Sequence, residues 1–461
     1  MRVGKEWRVI NDGDPQVLIR ELGLSAIAAR VLVHRGVSDP DAARRFLSPS
    51  LSDLPDPSVM KDMDRAVARV SRALRSREKI HVFGDYDVDG TTATAVLCLF
   101  LRNAGAEVSF SVPDRTREGY GLNAEAVKRI AASGARLLIT ADCGIASRDE
   151  IRWAAGEGLD VVVTDHHEPP EELPPAVAVL NPKRNDCPYP FKGLAGVGVA
   201  FHLLIALRAR LREEAFFPPG EVPNLREYLD LVALGTIADV VPLTGPNRIL
   251  AKHGLAELGR SRRPGIAALK ALCTLADAPL IDTEAVHFRL APRINAAGRM
   301  RDAAQAVELF TTGDPARARR IASDLDELNS VRQRTEEAIL NEAREMIESG
   351  GEGKKSIVLS SAKWHPGIVG IVASRLVEEY QCPAVLIALG DETGRGSGRS
   401  IAGFSLYEAL KSCSRWMERF GGHDQAGGLV IRSENIPFFA AAFESAAAEM
   451  LSGGDGVPVL E

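Results

Sequence analysis

The residues able to do chemistry in this sequence sit at the ends of hydrophobic runs. KIHVFG leads into Asp85, Asp87 and Asp89, written GDYDVDG. RLLITA ends at Asp142, and LDVVVT ends at Asp165, followed at once by His166 and His167 and then by Pro169-Pro170. A further acid, Asp239, lies inside the apolar stretch LVALGTIADVVPL. Carboxylates gathered in one place repel each other and stay ionised only when cations neutralise them. Histidine adds neutral nitrogen donors. A mixed Asp/His set favours a transition ion such as Mn2+ over Mg2+, which prefers an all-oxygen shell with waters. About six ligands suit two ions roughly 3.5–4 Å apart, an arrangement that hydrolyses phosphate esters.

Taken singly, each piece has a plainer reading. An aspartate after a strand often caps the next helix, and an isolated histidine is usually a satisfied core residue. His81, mid-strand in KIHVFGD, is read as structural or as a support to the site, and His34, His202, His253 and His287 have no supporting cluster. Adjacent histidines behind Asp165, with two other acid-tipped runs, go beyond that reading.

For these residues to meet, the runs must lie side by side. Strand-like segments at 79–85, 136–142 and 159–165, with AEVSFSVP between the first two, alternate with helical segments such as TTATAVLCLFLRNAG, NAEAVKRIAASG and SRDEIRWAAGEG. That alternation predicts an α/β fold with a parallel, doubly wound sheet. Ligands of such sheets bind beyond the carboxyl ends of the strands, where the acids fall. Residues 195–312 turn mainly helical. The stretch ARARRIASDLDELNSVRQRTEEAILNEAREMIESG (316–350) contains no proline and only its final glycine, and as one helix it would span about 50 Å. Beyond Gly350-Gly351-Glu352-Gly353 a smaller α/β domain is expected: strand KSIVLS, helix GIVGIVASRLVEEY, strand AVLIAL, a glycine-rich turn GRGSGRS, and strand GLVIRS.

The chain of 461 residues exceeds one core and suits two or three domains. Apolar content of 45% and charged content of 26% fit an ordinary globular protein. The N-terminus MRVGKEWRVINDGDP has no apolar signal core, and no run reaches the ~18 residues of a membrane span. A cytoplasmic location without membrane attachment is the expectation. The six cysteines form no CxxC pair and read as reduced thiols. A net charge of −6 argues against a nucleic-acid coat protein but permits a local basic groove.

GDYDVDG, ITADCG, VTDHH and LGTIADVVPL, in that order, resemble the four motifs of the DHH phosphoesterase superfamily. PDRTREGYGL, LNPKRNDCPYPFKGLAGVGVA, APRINAAGRM and LDELNSVRQ resemble its RecJ branch, the bacterial single-strand-specific exonucleases. WHPGIVGIVASRL, GSGRSIAGFSLYEAL and FGGHDQAGG resemble the companion DHHA1 domain. The resemblance covers essentially the whole chain. It implies a helical lead at 1–45, a DHH catalytic domain at 46–312, a connecting helix at 313–350 and a DHHA1 domain at 351–455, with a cleft between the two α/β domains. Relatives commonly add a C-terminal OB barrel, which is expected to be absent from a chain ending in GGDGVPVLE.

The implied activity is 5′→3′ hydrolysis of single-stranded DNA to mononucleotides with Mn2+ or Mg2+, in repair and recombination. Single-strand-binding protein and a helicase are the implied partners. Carried over by position, Asp87, Asp89, Asp142, His166 and Asp239 would be metal ligands and Asp85 a ligand or near-ligand. Asp165 would orient a histidine, and His167 would face the scissile phosphate as a general acid. Asp142, His166 and His167 form the implied catalytic set. Arg115 and Tyr120 would fork a phosphate and stack on a base. Arg293, Asn295 and Arg299 would contact phosphates. Arg395, Ser397 and Arg399, with Gly421, Gly422 and His423, would make a pocket for a terminal 5′-phosphate.

Three rival readings stand beside this one. A DHH enzyme of short oligonucleotides or cyclic dinucleotides would prefer short RNA. A non-catalytic replication scaffold is disfavoured because every ligand position is filled. A dinucleotide-dependent oxidoreductase fails because DYDVDG, not GxGxxG, follows the first strand.

Overall fold

Five hydrophobic stretches form one parallel sheet: β1 (Ile80–Gly84), β2 (Val108–Ser111), β3 (Leu137–Ala141), β4 (Asp160–Thr164) and β5 (Ala178–Leu180). Their order is β2-β1-β3-β4-β5. The computed structural model describes residues 13–115, 117–278, 280–349 and 354–451, with the backbone of Glu6–Trp7 and Val459–Leu460.

The strands are continuous hydrophobic runs because both sheet faces are covered. Ile80, Val82, Leu137, Ile139 and Val162 point into the larger core. Phe83, Leu138, Val161 and Val163 point into the other. Helix α1 (Val88–Asn103), from TTATAVLCLF and the residues before it, is buried along most of its length. Around it pack α2 (Gly196–Glu213) and α3 (Leu229–Ala238). Three short helices, Gln16–Leu22, Ala26–His34 and Pro40–Leu47, carry a small core of their own around Leu18, Ala29 and Leu32.

The pairing register levels the strand tips. Gly84 pairs with Ala141, Ala141 with Thr164, and Thr164 with Leu180. The next residue of each strand, Asp85, Asp142, Asp165 and Asn181, therefore stands in one row across the sheet edge. The backbone ladder continues into that row: Asp85 N–H donates to Ala141 O, Asp142 N–H to Thr164 O, and Asp165 N–H to Leu180 O.

Helix α4 (Pro315–Ser349) begins in a compact unit of Gly13–Asn329 and ends in a second unit that starts at Ser330. The second unit holds a mixed sheet of β6 (Ile357–Ser361), β7 (Ala384–Leu389), β8 (Thr393–Arg399), β9 (Arg419–Gly422) and β10 (Ala426–Arg432). The strand order is β9-β10-β8-β7-β6, and α5 (Val369–Tyr380) packs on β7 and β8.

One expectation is corrected here. GRGSGRS is not a turn; it is most of β8, and Gly421 and Gly422 lie in β9. Glycine is depleted in strands, so the composition pointed to a turn. The glycines of β8 serve the packing instead. A Cβ on Gly394 would sit 2.5 Å from Ile387, and one on Gly396 would sit 2.8 Å from Leu429. Segment 350–353, expected to open the second domain, includes no residue among those described. Among the described residues no helix is long and apolar enough to cross a membrane.

Candidate metal centre

Each acid reaches the sheet edge by a definite local device. Asp87 caps α1: its backbone is extended and its Oδ1 accepts the Gly90 N–H at 2.9 Å. Gly90 is obligatory in this turn, since a Cβ there would lie 2.6 Å from the Asp85 carbonyl oxygen. Asp89, in the first turn of α1, reaches the start of α2. Its Oδ2 accepts Gly196 N–H at 2.6 Å and its Oδ1 accepts Val197 N–H at 2.8 Å. Asp142 adopts a left-handed backbone with φ of 64°, which turns its side chain inward over the strand tip. Gly196 makes room for it, because a Cβ at that position would fall 2.4 Å from Asp142 Oδ1. Asp239 follows the last turn of α3 as its C-cap.

These side chains converge. His166 Nε2 lies 3.2 Å from Asp142 Oδ1, 3.6 Å from Asp239 Oδ2 and 3.9 Å from Asp89 Oδ2. Potential ligand atoms fall into overlapping groups: Asp89, His166 and Asp239; Asp85, Asp87 and Asp142; and Asp142, His166 and His167. Asp142 is common to the last two, while Asp89 and Asp239 reach it through His166.

Asp85 Oδ1, Asp142 Oδ1 and Asp239 Oδ2 are buried and accept no hydrogen bond from the described residues. A buried, unpaired carboxylate oxygen is costly. Two of them beside the His166 nitrogen, and the third grouped with Asp87 and Asp142, form a set of donors that divalent cations satisfy. The proton affinities agree. Burial, and then Asp87, drives the Asp85 carboxyl far above its ordinary range. Burial with the neighbouring acids does the same to Asp142. Asp89 is pushed up to about 7 by burial and Asp87, and Asp239 to about 9 by burial and Asp89. Burial, helped by His167, lowers His166 to about 4, so its ring is neutral and free to ligate.

Asp165 has a different task. Its Oδ1 accepts the N–H groups of His166 (2.7 Å) and His167 (3.0 Å) and the His167 ring at Nδ1 (2.7 Å), while Oδ2 accepts Ile145 N–H at 2.9 Å. Burial works to raise its pKa, but these donors outweigh it and hold the group ionised. For His167 burial favours the neutral ring, and the Asp165 hydrogen bond reverses that, raising its pKa.

The Tyr120 hydroxyl lies 3.0 Å from His167 Nδ1 and donates to the Asp142 carbonyl at 3.3 Å. Its ring packs edge-on against Tyr86 at 6.5 Å, and Arg115 lies 5.0 Å over the Tyr86 ring. Tyr86 escaped the sequence reading although it stands between Asp85 and Asp87. The signal was an aromatic residue inside a polar turn. Of the segment APRINAAGRM, Asn295 Oδ1 accepts Val88 N–H at 3.2 Å, which ties this helix to the start of α1. Arg293 pairs with Asp326 at 2.7 Å. Arg299 stands close enough to Tyr86 to ease the ionisation of its phenol. His81 is buried between Ser109 and Ser111, 2.8 Å from each hydroxyl.

The second unit gathers another group. Arg395, Ser397 and Arg399 alternate with the core-facing glycines and so share one face of β8. Arg399 Nη1 donates to Ser397 Oγ at 3.2 Å. The start of α5 closes on them: a Cβ on Gly370 would sit 2.7 Å from Ser397 Oγ and 3.2 Å from Arg399 Nη2. Gly421 pairs with Gly428 and Gly422 with Gly427, and His423 follows, exposed.

Two family models match the chain. One, the DHH family N-terminal domain, covers residues 79–236, and the DHHA1 domain covers 353–449. The single-stranded-DNA-specific exonuclease RecJ of Bacillus subtilis is 42% identical over 459 residues, spanning 99% of this chain and 57% of that protein. RecJ of Dickeya dadantii is 42% identical over 93% of this chain and 76% of its own length. Among solved structures, RecJ of Thermus thermophilus with Mn2+ aligns over 99% of this chain and 64% of that one, with a TM-score of 0.84 and 36% identity. Exonuclease RecJ bound to manganese aligns over 88% of this chain and 99% of that one, with a TM-score of 0.75 and 38% identity. The chain thus spans a little over half the length of the Bacillus relative.

Proposed function

The chain belongs to the RecJ family of DHH and DHHA1 domain proteins, and from that premise we propose that it is a metal-dependent exonuclease hydrolysing single-stranded DNA from a 5′ end to mononucleotides. One observation carries the reading: two buried carboxylate oxygens without hydrogen-bond partners among the described residues, on Asp142 and Asp239, converge beside His166 Nε2, and a third, on Asp85, belongs to the ligand group that Asp142 shares. Asp89, His166 and Asp239 would hold one Mn2+ or Mg2+, and Asp85, Asp87 and Asp142 a second. Bound there, such ions supply Lewis-acid polarisation of the phosphodiester and activation of a water.

The chain's own residues do the rest. His166, neutral, presents a nitrogen without losing a proton. Asp165 fixes the His167 ring and favours its protonated form, so His167 can give a proton to the departing sugar oxygen. Arg115 and the rings of Tyr86 and Tyr120 offer a cation and aromatic faces to a strand stretched over the site. Arg293, Asn295 and Arg299 act on the same side. Their engagements with Asp326 and Val88 favour bracing of this helix, with phosphate contact as the further role. In the second unit Arg395, Ser397 and Arg399, with the start of α5 and with Gly421, Gly422 and His423, would receive a terminal 5′-phosphate. The substrate puts the work in the cytoplasm. It implies two partner classes, a helicase that frees 5′-ended strands and the single-strand-binding protein that coats them.

The test is digestion of end-labelled single-stranded DNA, duplex DNA and short RNA with Mn2+, Mg2+ or chelator. Single strands should be consumed from the 5′ end, only with metal. Asp142→Asn keeps a side chain that tolerates the left-handed backbone. It should lose more than the ~10- to 100-fold typical of a residue merely supporting a metal site. A faster attack on short RNA than on long DNA would overturn the assignment of substrate.

A further inference from the structure

The row of strand tips holds one residue that is not an acid. Asp85, Asp142 and Asp165 follow β1, β3 and β4, and the level place after β5 is taken by Asn181. Its side chain is fully buried. Its Nδ2 donates to the carbonyl of His167 at 2.8 Å, and its Oδ1 accepts Lys183 N–H at 2.8 Å.

The chemistry of the two neighbouring tips is complementary. Among the described residues, the hydrogen bonds of the Asp165 carboxylate all come from donors: two backbone N–H groups of the histidine pair, the His167 ring and Ile145 N–H. A carboxylate suits that position. What faces Asn181 from the same dipeptide is an acceptor, the His167 carbonyl. A carboxylate there would set oxygen against oxygen, whereas an amide supplies the donor and keeps an acceptor for Lys183. Between them the two side chains grip His167 by its N–H, its ring and its C=O.

We propose that Asn181 is a positioning residue for hydrolysis: by anchoring the His167 carbonyl it fixes the backbone from which that ring is aimed at the leaving oxygen. This rests on the exonuclease reading of the site. Asn181 touches none of Asp85, Asp87, Asp89, Asp142, His166 or Asp239 in the hydrogen bonds described, so its effect should reach turnover and spare ion binding.

The experiment compares Asn181→Ala, Asn181→Asp, His167→Ala and the double variant Asn181→Ala with His167→Ala. Measurements are Mn2+ binding by calorimetry, steady-state hydrolysis of single-stranded DNA, and histidine-ring NMR of metal-free protein. Both Asn181 variants should lower kcat about 10- to 100-fold with KM near wild type. The isosteric Asn181→Asp should be no better than alanine, because it removes the donor. In the His167→Ala background the Asn181→Ala change should cost less than about 2-fold, since contacting residues acting through one group are non-additive. The His167 ring signal should broaden in Asn181→Ala before any substrate is added. Equal losses in both backgrounds, or an unmoved ring signal, would overturn the proposal. A wild-type protein that hydrolyses no nucleic acid while its His167 signal still shifts in Asn181→Ala would sink the exonuclease reading and leave the anchor standing.

Discussion

At the scale of single residues, the candidate metal centre is a set of acids that the fold holds against their preference. Asp239, raised to about 9, keeps its proton at neutral pH when no cation is present, while its unfolded counterpart titrates near 3.8. The folded state binds a proton that the unfolded state has lost, so the stability from this group is complete below the lower value and fades as pH climbs through the upper one. Asp89, raised to about 7, follows the same sign over a narrower window. The melting temperature of metal-free protein should therefore fall between pH about 6 and about 9. Saturating Mn2+ should flatten the decline, with protons released on binding that calorimetry in buffers of different ionisation enthalpy will count. Asp239→Asn should remove the upper part of the slope. A metal-free protein whose melting temperature rises across this range would contradict the buried, protonated state of these acids.

At the scale of elements, the acids were readable because each sits where a hydrophobic run breaks. A parallel sheet turns sequence breaks into one spatial edge. Asp85, Asp142 and Asp165 are legible in that way, and so is the buried α1 behind them. Asn181 was not, since AVL is too short a run to announce a strand and β5 exists by pairing with β4. Nor was β8, where glycine content contradicted strand propensity and tertiary packing overruled it. That packing makes a quantitative expectation. In Gly396→Val the new carbons meet Leu429, with Cδ1 and Cγ both 2.8 Å from the ideal Cβ, and Ile387 at 3.2 Å. Overpacking of this kind costs about 1–3 kcal/mol. Urea denaturation should show the loss in the unit beginning at Ser330, with Mn2+ affinity kept, because the ion's candidate ligands all belong to Gly13–Asn329. Undiminished stability would mean that these glycines serve something other than sheet packing.

At the scale of the whole molecule, the acid cluster and the arginine–serine face of β8 lie in separate compact units of one chain. The acids that would carry hydrolysis belong to one, and the arginine–serine face of β8 to the other. Such a division lets binding energy from a remote phosphate act on the reacting bond without altering the metal centre. Its signature is a preference among ends. Wild-type protein should cleave 5′-phosphorylated single strands with higher kcat/KM than 5′-hydroxyl strands of the same sequence. A charge-assisted hydrogen bond is worth about 1.5–3 kcal/mol, so Arg399→Ala should lower kcat/KM on phosphorylated ends about 10- to 100-fold. On hydroxyl ends the arginine has no phosphate to grip, and the loss should be several-fold smaller. Steady-state kinetics on the two oligonucleotides, with each protein, measures the ratio directly. Equal losses on both ends would mean that Arg399 supports the sheet through Ser397 and the Gly398 carbonyl, to which it already donates, and the 5′ phosphate would have to be held elsewhere on the chain.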